Sequence, residues 1–460
     1  MPIRVQNGPH FGYADTARRW TSHTHPSSEP WRNLIVGFLD LILRRRPWRH
    51  PNTYRREEAI KALEDQQVLA EIAHTDPDHW IRQEATKKLS IQPDLATIAL
   101  SDPDRQVRWH AAQNLRLQPS LARVAQSDPD RWVREAAVES LDDQLALSSI
   151  SRNDKATQVR LAAVKRLDDQ VSLSAVAQTD PEADVRAEAV SKVSSQDELY
   201  SISVHDSSAC VRLAAVGGLD GPPQLAYVAT TDSDYEVRKL AVEKILDPVV
   251  LEHVARTDDV AWVREVAIKR IVDQAVLCHI AKKDLDADVR MTATKRVCDQ
   301  EVLSMLARTD DDEFVRVAAA ERLTNGQQLS DMATTDSSEH VREAAIRRLG
   351  DSALALHIAK DDEAGNVRSA ALDQLSDQNV LCDFALNDQM PGIRRQALER
   401  INDQATLEKL AIGDPDLFVR VCAIARVNSR SVLNKLMDAA EATPVREAAQ
   451  KRIEAEGNLP

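Results

Sequence analysis

Apolar positions recur along this chain in two short runs per 26 residues. Within Asp169–Ala177 they stand at Leu173, Val176 and Ala177, and in the stretch that follows at Val185, Ala189, Val190 and Val193. The i, i+3, i+4 spacing of each run predicts an amphipathic helix, so one period holds a helix pair. Between the two runs lies Asp180-Pro181, and the same dipeptide returns at Asp76-Pro77, Asp102-Pro103, Asp128-Pro129 and Asp414-Pro415. An aspartate capping the second helix, with a proline in its first turn, accounts for that spelling. Helices of about ten to thirteen residues are too short to be stable alone in water. Their stability is therefore expected to come from stacking on neighbouring pairs.

The period carries an arginine that runs from Arg82 to Arg446 without a register slip. Six residues before each of the first fourteen stands an aspartate, from Asp76 to Asp414, and three residues after all fifteen stands an alanine, from Ala85 to Ala449. The first helix keeps a leucine throughout, except at Ala355. Self-similarity at this period predicts an all-α protein, an α–α superhelix or solenoid of about fifteen helix-pair repeats. Alanine at a fixed position suits close approach of helices from successive layers. The arginine lies at the edge of the apolar stripe, where a buried charge needs a partner. Asp128, Arg134, Asp180, Arg186, Asp258 and Arg264 are thus expected to belong to a structural ladder that fixes register between layers, in preference to an anion-binding spine.

The pattern divides the chain into a flexible arm over residues 1–30, a capping region with a degenerate repeat over 31–64, the solenoid over 65–454 and a tail over 455–460. At the two ends of the ladder His50 and Ala440 take the place of the aspartate. Trp31, Leu34, Ile35, Phe38, Leu39, Leu41 and Ile42 fall at helical spacing before Arg44-Arg45-Arg46-Pro47-Trp48. This basic amphipathic stretch is read as a cap on the open end of the array, with a weak membrane-surface contact through residues 31–48 as the alternative.

Asp-x5-Arg, with valine usually before the arginine and the arginine in the second helix, resembles the HEAT repeat, and the short period resembles the bacterial HEAT-like repeats of bilin lyases. The resemblance covers residues 51–454 and implies that aspartate and arginine bond across successive repeats. Asp128-Pro129-Asp130-Arg131-Trp132-Val133-Arg134 is also similar to the variant leucine-rich repeat. Two departures stand out: HEAT repeats run about 40–47 residues, and the first-helix proline usual in that family is absent.

Composition narrows the function. Apolar residues make up 43% of the chain and aromatics only 4%, as expected of a core built from Ala, Val, Ile and Leu. Residues 1–50 hold eight arginines against Asp15, Glu29 and Asp40, a net of +5, which leaves −19 of the formal −14 to the remainder. So acidic a body disfavours nucleic acid, whose non-specific binding is mostly charge neutralisation. Cys210, Cys278, Cys298, Cys382 and Cys422 are too scattered for a disulfide framework or a metal site. No stretch reaches the roughly 18 apolar residues of a membrane span, and no secretory signal is evident at the start. A cytoplasmic monomer without metal or cofactor is expected.

Two further columns are candidates for function. Two residues before the ladder arginine stand Trp80, Trp132, Trp262, Phe314 and Phe418, and Trp109 shares their helix face. Exposed there, the rings would anchor a partner segment on the concave surface; the alternative is that each fills a gap against the next layer. Six residues after the ladder arginine stands a basic column that includes Arg270, Arg296, Arg322 and Arg348. It is expected either to tune partner binding or to be solvated charge favoured by a helix C-terminus. No spacing of His, Cys, Ser or Gly spells a catalytic site. The expectation is a non-catalytic scaffold or adaptor for a protein partner, with a HEAT-like enzyme or enzyme subunit, of bilin-lyase or DNA-glycosylase kind, as the alternative.

Overall fold

In the computed structural model the described residues are 46–439 and 443–457. Among them are 31 α-helices, one short 3-10 turn at Pro47–Arg49 and no strand. The arm expected over 1–30, most of the stretch at 31–48, Ala440 and the end of the tail lie outside the described residues. The chain divides into two compact units, with the boundary between Glu198 and Leu199.

One repeat shows how the sequence builds the pair. The first helix, Gln66–Thr75, starts at Asp65, whose side chain accepts from the Gln67 and Val68 amides. It stops at Asp76, whose amide bonds to the Ile72 carbonyl at 3.0 Å. The second helix, His79–Lys88, starts at Asp78, which accepts from the Trp80 amide. This corrects one expectation. The ladder aspartate does not cap the second helix; it closes the first, and its proline sits in the turn between them. The cap is the residue two positions later, at Asp78, Asp104, Asp130, Asp234, Asp286, Asp312 and Asp416. The ladder carboxylate instead folds back on its own turn, as when Asp76 Oδ1 accepts the Asp78 amide at 2.9 Å. Each side-chain cap contributes about 1 kcal/mol to helices that would not form in isolation.

Burial follows the predicted stripes. The residue before each ladder arginine, a valine except at Ile81 and Ile393, is at most 3% exposed, and all fifteen alanines from Ala85 to Ala449 are 0% exposed. Within each unit the second helices of successive repeats pack more closely on one another than the first helices do. Alanine permits that approach, since a larger side chain would hold the helices apart. The second helices therefore crowd together on one side of each unit while the first helices fan out on the other. Arg56, in the helix Thr53–Lys61, reaches Asp76 Oδ1 at 3.1 Å and the His50 carbonyl at 2.9 Å, and His50 Nδ1 accepts the Asn52 amide at 3.0 Å as a ladder carboxylate accepts in its own turn.

Candidate functional site

Three polar columns are used up in holding the helix pairs and their layers. In the ladder, Arg82 grips Asp102 with Nε at 2.7 Å and Nη2 at 3.0 Å. The same two-pronged bond joins Arg108 to Asp128, Arg160 to Asp180, Arg238 to Asp258 and Arg264 to Asp284. The third nitrogen turns back to the carbonyl of the aspartate in its own repeat, as from Arg186 Nη1 to Asp180 O at 2.9 Å. The aspartate bond, against the opposing cost of burial, pushes the ladder guanidinium pKa up. For Asp362, burial alone would raise the carboxyl, but the bonds from Arg342 and the Ala364 amide outweigh it and hold the carboxyl below its ordinary range. A bidentate pair with its remaining donors satisfied keeps buried charge tolerable and fixes one geometry.

A second column was overlooked in the sequence although it lies on the same grid. Gln66, Gln92, Gln118, Gln144, Gln170, Gln274, Gln300, Gln378 and Gln404 each open a first helix and clamp the end of the second helix of the same pair, together with the connector that follows it. Gln144 Nε2 donates to Arg166 O at 3.2 Å, and its Oε1 accepts the Asp168 amide at 2.8 Å.

The basic column has a different job from the one its sequence suggests. Arg270 bonds to the Glu243 carbonyl and Arg296 to the Ile268 carbonyl. Arg322 Nε reaches Val297 O at 2.8 Å, and Arg348 Nε reaches Leu323 O at 3.1 Å. These donors satisfy the C-terminal end of the preceding second helix, where four carbonyls lack intrahelical partners, or the turn just after it, as at Val297 and Leu323. They are committed to the stack.

The aromatic column is not committed in this way. Trp80, Trp132, Trp262, Phe314 and Phe418 are between 45% and 70% exposed, more than rings that merely fill gaps between layers would be. Trp109 is half-buried on the same face. Lys87 lies 5.6 Å from the Trp80 ring centre, Arg131 4.6 Å from that of Trp132 and Lys239 4.2 Å from that of Trp262. Tyr235 stands 6.3 Å from Trp262, and His340 stacks on Phe314 at 6.1 Å. Of the six rings, Trp109 and Trp132 line one cleft together. Three further clefts among the described residues run along the ladder: one of about 440 Å³ is lined by Asp128, Arg134 and Asp154, whose polar groups are already bonded to one another.

No protein-family model matches the chain, and no curated protein matches it. Among solved structures it is similar to a leucine-rich repeat variant described as having a novel repetitive protein structural motif, at 27% identity over 46% of this chain and 86% of that one, TM-score 0.39. It is also similar to the karyopherin Kap121p bound to the SUMO protease Ulp1p, at 15% identity over 86% of this chain and 49% of that one, TM-score 0.31. A third similarity is to the Cnd3-Cnd2 condensin subcomplex of S. pombe, at 13% identity over 84% and 70%, TM-score 0.26. The chain spans about half the length of the karyopherin. The class rests on the chain's own geometry: stacked helix pairs joined by an aspartate–arginine ladder make it an all-helical, HEAT-like repeat solenoid. Among the described residues no helix is long and apolar enough to cross a membrane.

Proposed function

We propose that the chain is a non-catalytic scaffold that binds a protein partner on the second-helix face through Trp80, Trp109, Trp132, Trp262, Phe314 and Phe418. The exposure of large rings at one repeat position, beside polar columns that bond within the stack, carries this reading. A ring on a rigid helix brings a large contact area at little conformational cost, which is why such residues dominate binding surfaces. The non-catalytic part is supported by the clefts along the ladder, where the charged groups face each other. Free cysteines, with Cys210 and Cys298 exposed, suit a reducing, cytoplasmic setting.

The test is cross-linked affinity capture from the native cell with the wild type and with a Trp132→Ala/Trp262→Ala variant. The scaffold reading expects the variant to keep its helical circular dichroism and lose its partners. Capture equal to the wild type by a folded variant would refute it.

A further inference from the structure

We infer that the repeats of Arg108 and Arg134 hold a subsite for an acidic protein segment bearing one bulky apolar side chain, with Trp109 and Trp132 as its walls and Arg105 and Arg131 as its charge partners. This rests on the scaffold reading and names the chemistry of the partner.

The cleft lies between the helices Arg105–Asn114 and Arg131–Val138. It has a volume of about 240 Å³ and is lined by Arg105, Gln106, Trp109, Asp130, Trp132 and Val133. Ligand and cofactor sites take roughly 300–1,000 Å³, so the space suits a single large side chain. Two indoles and a valine make its walls apolar.

The charges around it are placed against the preference of the helices that carry them. Arg105 and Arg131 each occupy the first position of a helix, where the positive end of the macrodipole disfavours a cation by about 0.3–1 kcal/mol. Two later repeats show the opposite choice at that position, with Glu313 and Glu339. Arginine has thus been placed beside the tryptophans against the local preference. Arg105 is 62% exposed, with Nη1 3.5 Å from Asp130 Oδ2, while Asp130 Oδ1 is held by the Trp132 amide at 2.9 Å. His79 takes the same first position beside Trp80, which extends the basic and aromatic strip by one repeat.

Charge also excludes other occupants. Arg131 already sits over the Trp132 ring, so a cationic ligand would meet a filled cation–π position and a like charge. The first 50 residues, with their net of +5, are excluded as occupant for the same reason. Residues from 51 onward carry −19, so an acidic segment is repelled by most of the surface and finds its complement on this strip.

The experiment uses the full chain and fluorescence anisotropy with three probes: a peptide with glutamates on both sides of one phenylalanine, its lysine counterpart, and single-stranded oligo-dT. The glutamate peptide is expected to bind at least about tenfold more tightly than either other probe, with affinity falling as salt rises. An Arg105→Glu/Arg131→Glu variant, which places at these positions the residue that two later repeats use, is expected to lose about tenfold or more. Trp132→Ala is expected to weaken the same probe. Equal or tighter binding of the lysine peptide or of oligo-dT, or undiminished glutamate-peptide binding by the charge-reversed variant, would overturn the inference. If the charge-reversed variant captures cellular partners like the wild type while Trp132→Ala/Trp262→Ala does not, the scaffold reading stands and the acidic subsite falls. If neither variant loses partners, both fall.

Discussion

Arg134 donates to Asp154 of the next repeat from Nε at 2.7 Å and from Nη2 at 2.8 Å, while its Nη1 holds the Asp128 carbonyl at 3.0 Å. Both side chains are over nine-tenths buried. One residue therefore ties the turn of its own repeat to the turn of its neighbour, and the repetition of that tie keeps the short helices within each unit in register.

Removing one partner of such a pair leaves the other charge buried. Arg134→Ala is expected to cost about 3–5 kcal/mol, concentrated in the layers that Arg134 joins, because stability in a repeat array is largely a sum of nearest-neighbour terms. Amide hydrogen exchange should show the loss in Thr157–Arg166 and the helices beside it, with distant repeats still protected. Arg134→Lys should recover only part, since an ammonium cannot form the two-pronged bond.

The glutamine clamp makes a prediction in both directions. Gln144→Ala removes the two bonds that close its helix pair and should destabilise by about 1–2 kcal/mol. Pro248 stands where the clamp is missing. Pro248→Gln would reach toward Arg270 O and Val272 N; the new bonds are worth more than the roughly 0.4–1 kcal/mol that proline supplies by restricting the unfolded chain. Urea unfolding should therefore place Pro248→Gln slightly above the wild type and Gln144→Ala clearly below it.

Stability should fall with pH in two stages. His110 is held below its ordinary 6.5 by burial first and then by Lys87. The unfolded chain therefore takes up the proton more readily, and a small loss begins as pH drops through 6.5. Asp169, with its bonds from Ser172, and Asp403, with its bonds from Thr406, are held below their ordinary 3.8, as is Asp362. Their contribution is fully present above 3.8 and is lost as pH falls further, through their folded values. Unfolding midpoints measured across the acid range should show both stages, and His110→Gln should erase the first while leaving the second.

The period, the apolar stripes, the alanine contact and the ladder pairing were legible in the sequence because each repeats on one grid. What was not legible depends on the backbone. Asp76-Pro77-Asp78 offers two carboxylates two residues apart, and spacing alone does not say which faces the helix amides; the structure gives that role to Asp78. Arg322 reads as free charge until the Val297 carbonyl of the preceding layer is placed within its reach. Gln144 looks like an ordinary solvent-facing residue, because its partners lie 22 and 24 residues ahead. For the candidate site, the rings were found by their shared position, but the cleft between Trp109 and Trp132 was not, since the two occupy different positions in their repeats.

The central claim is that the invariant columns hold the stack and the variable ring column binds. Parallel urea unfolding of Trp132→Ala/Trp262→Ala and Arg134→Ala, followed by circular dichroism, tests it most directly. The account predicts that each half-exposed ring costs about 1 kcal/mol or less, while the ladder variant loses several times that. A ring variant that unfolds as early as the ladder variant would contradict it, by making the tryptophans part of the frame.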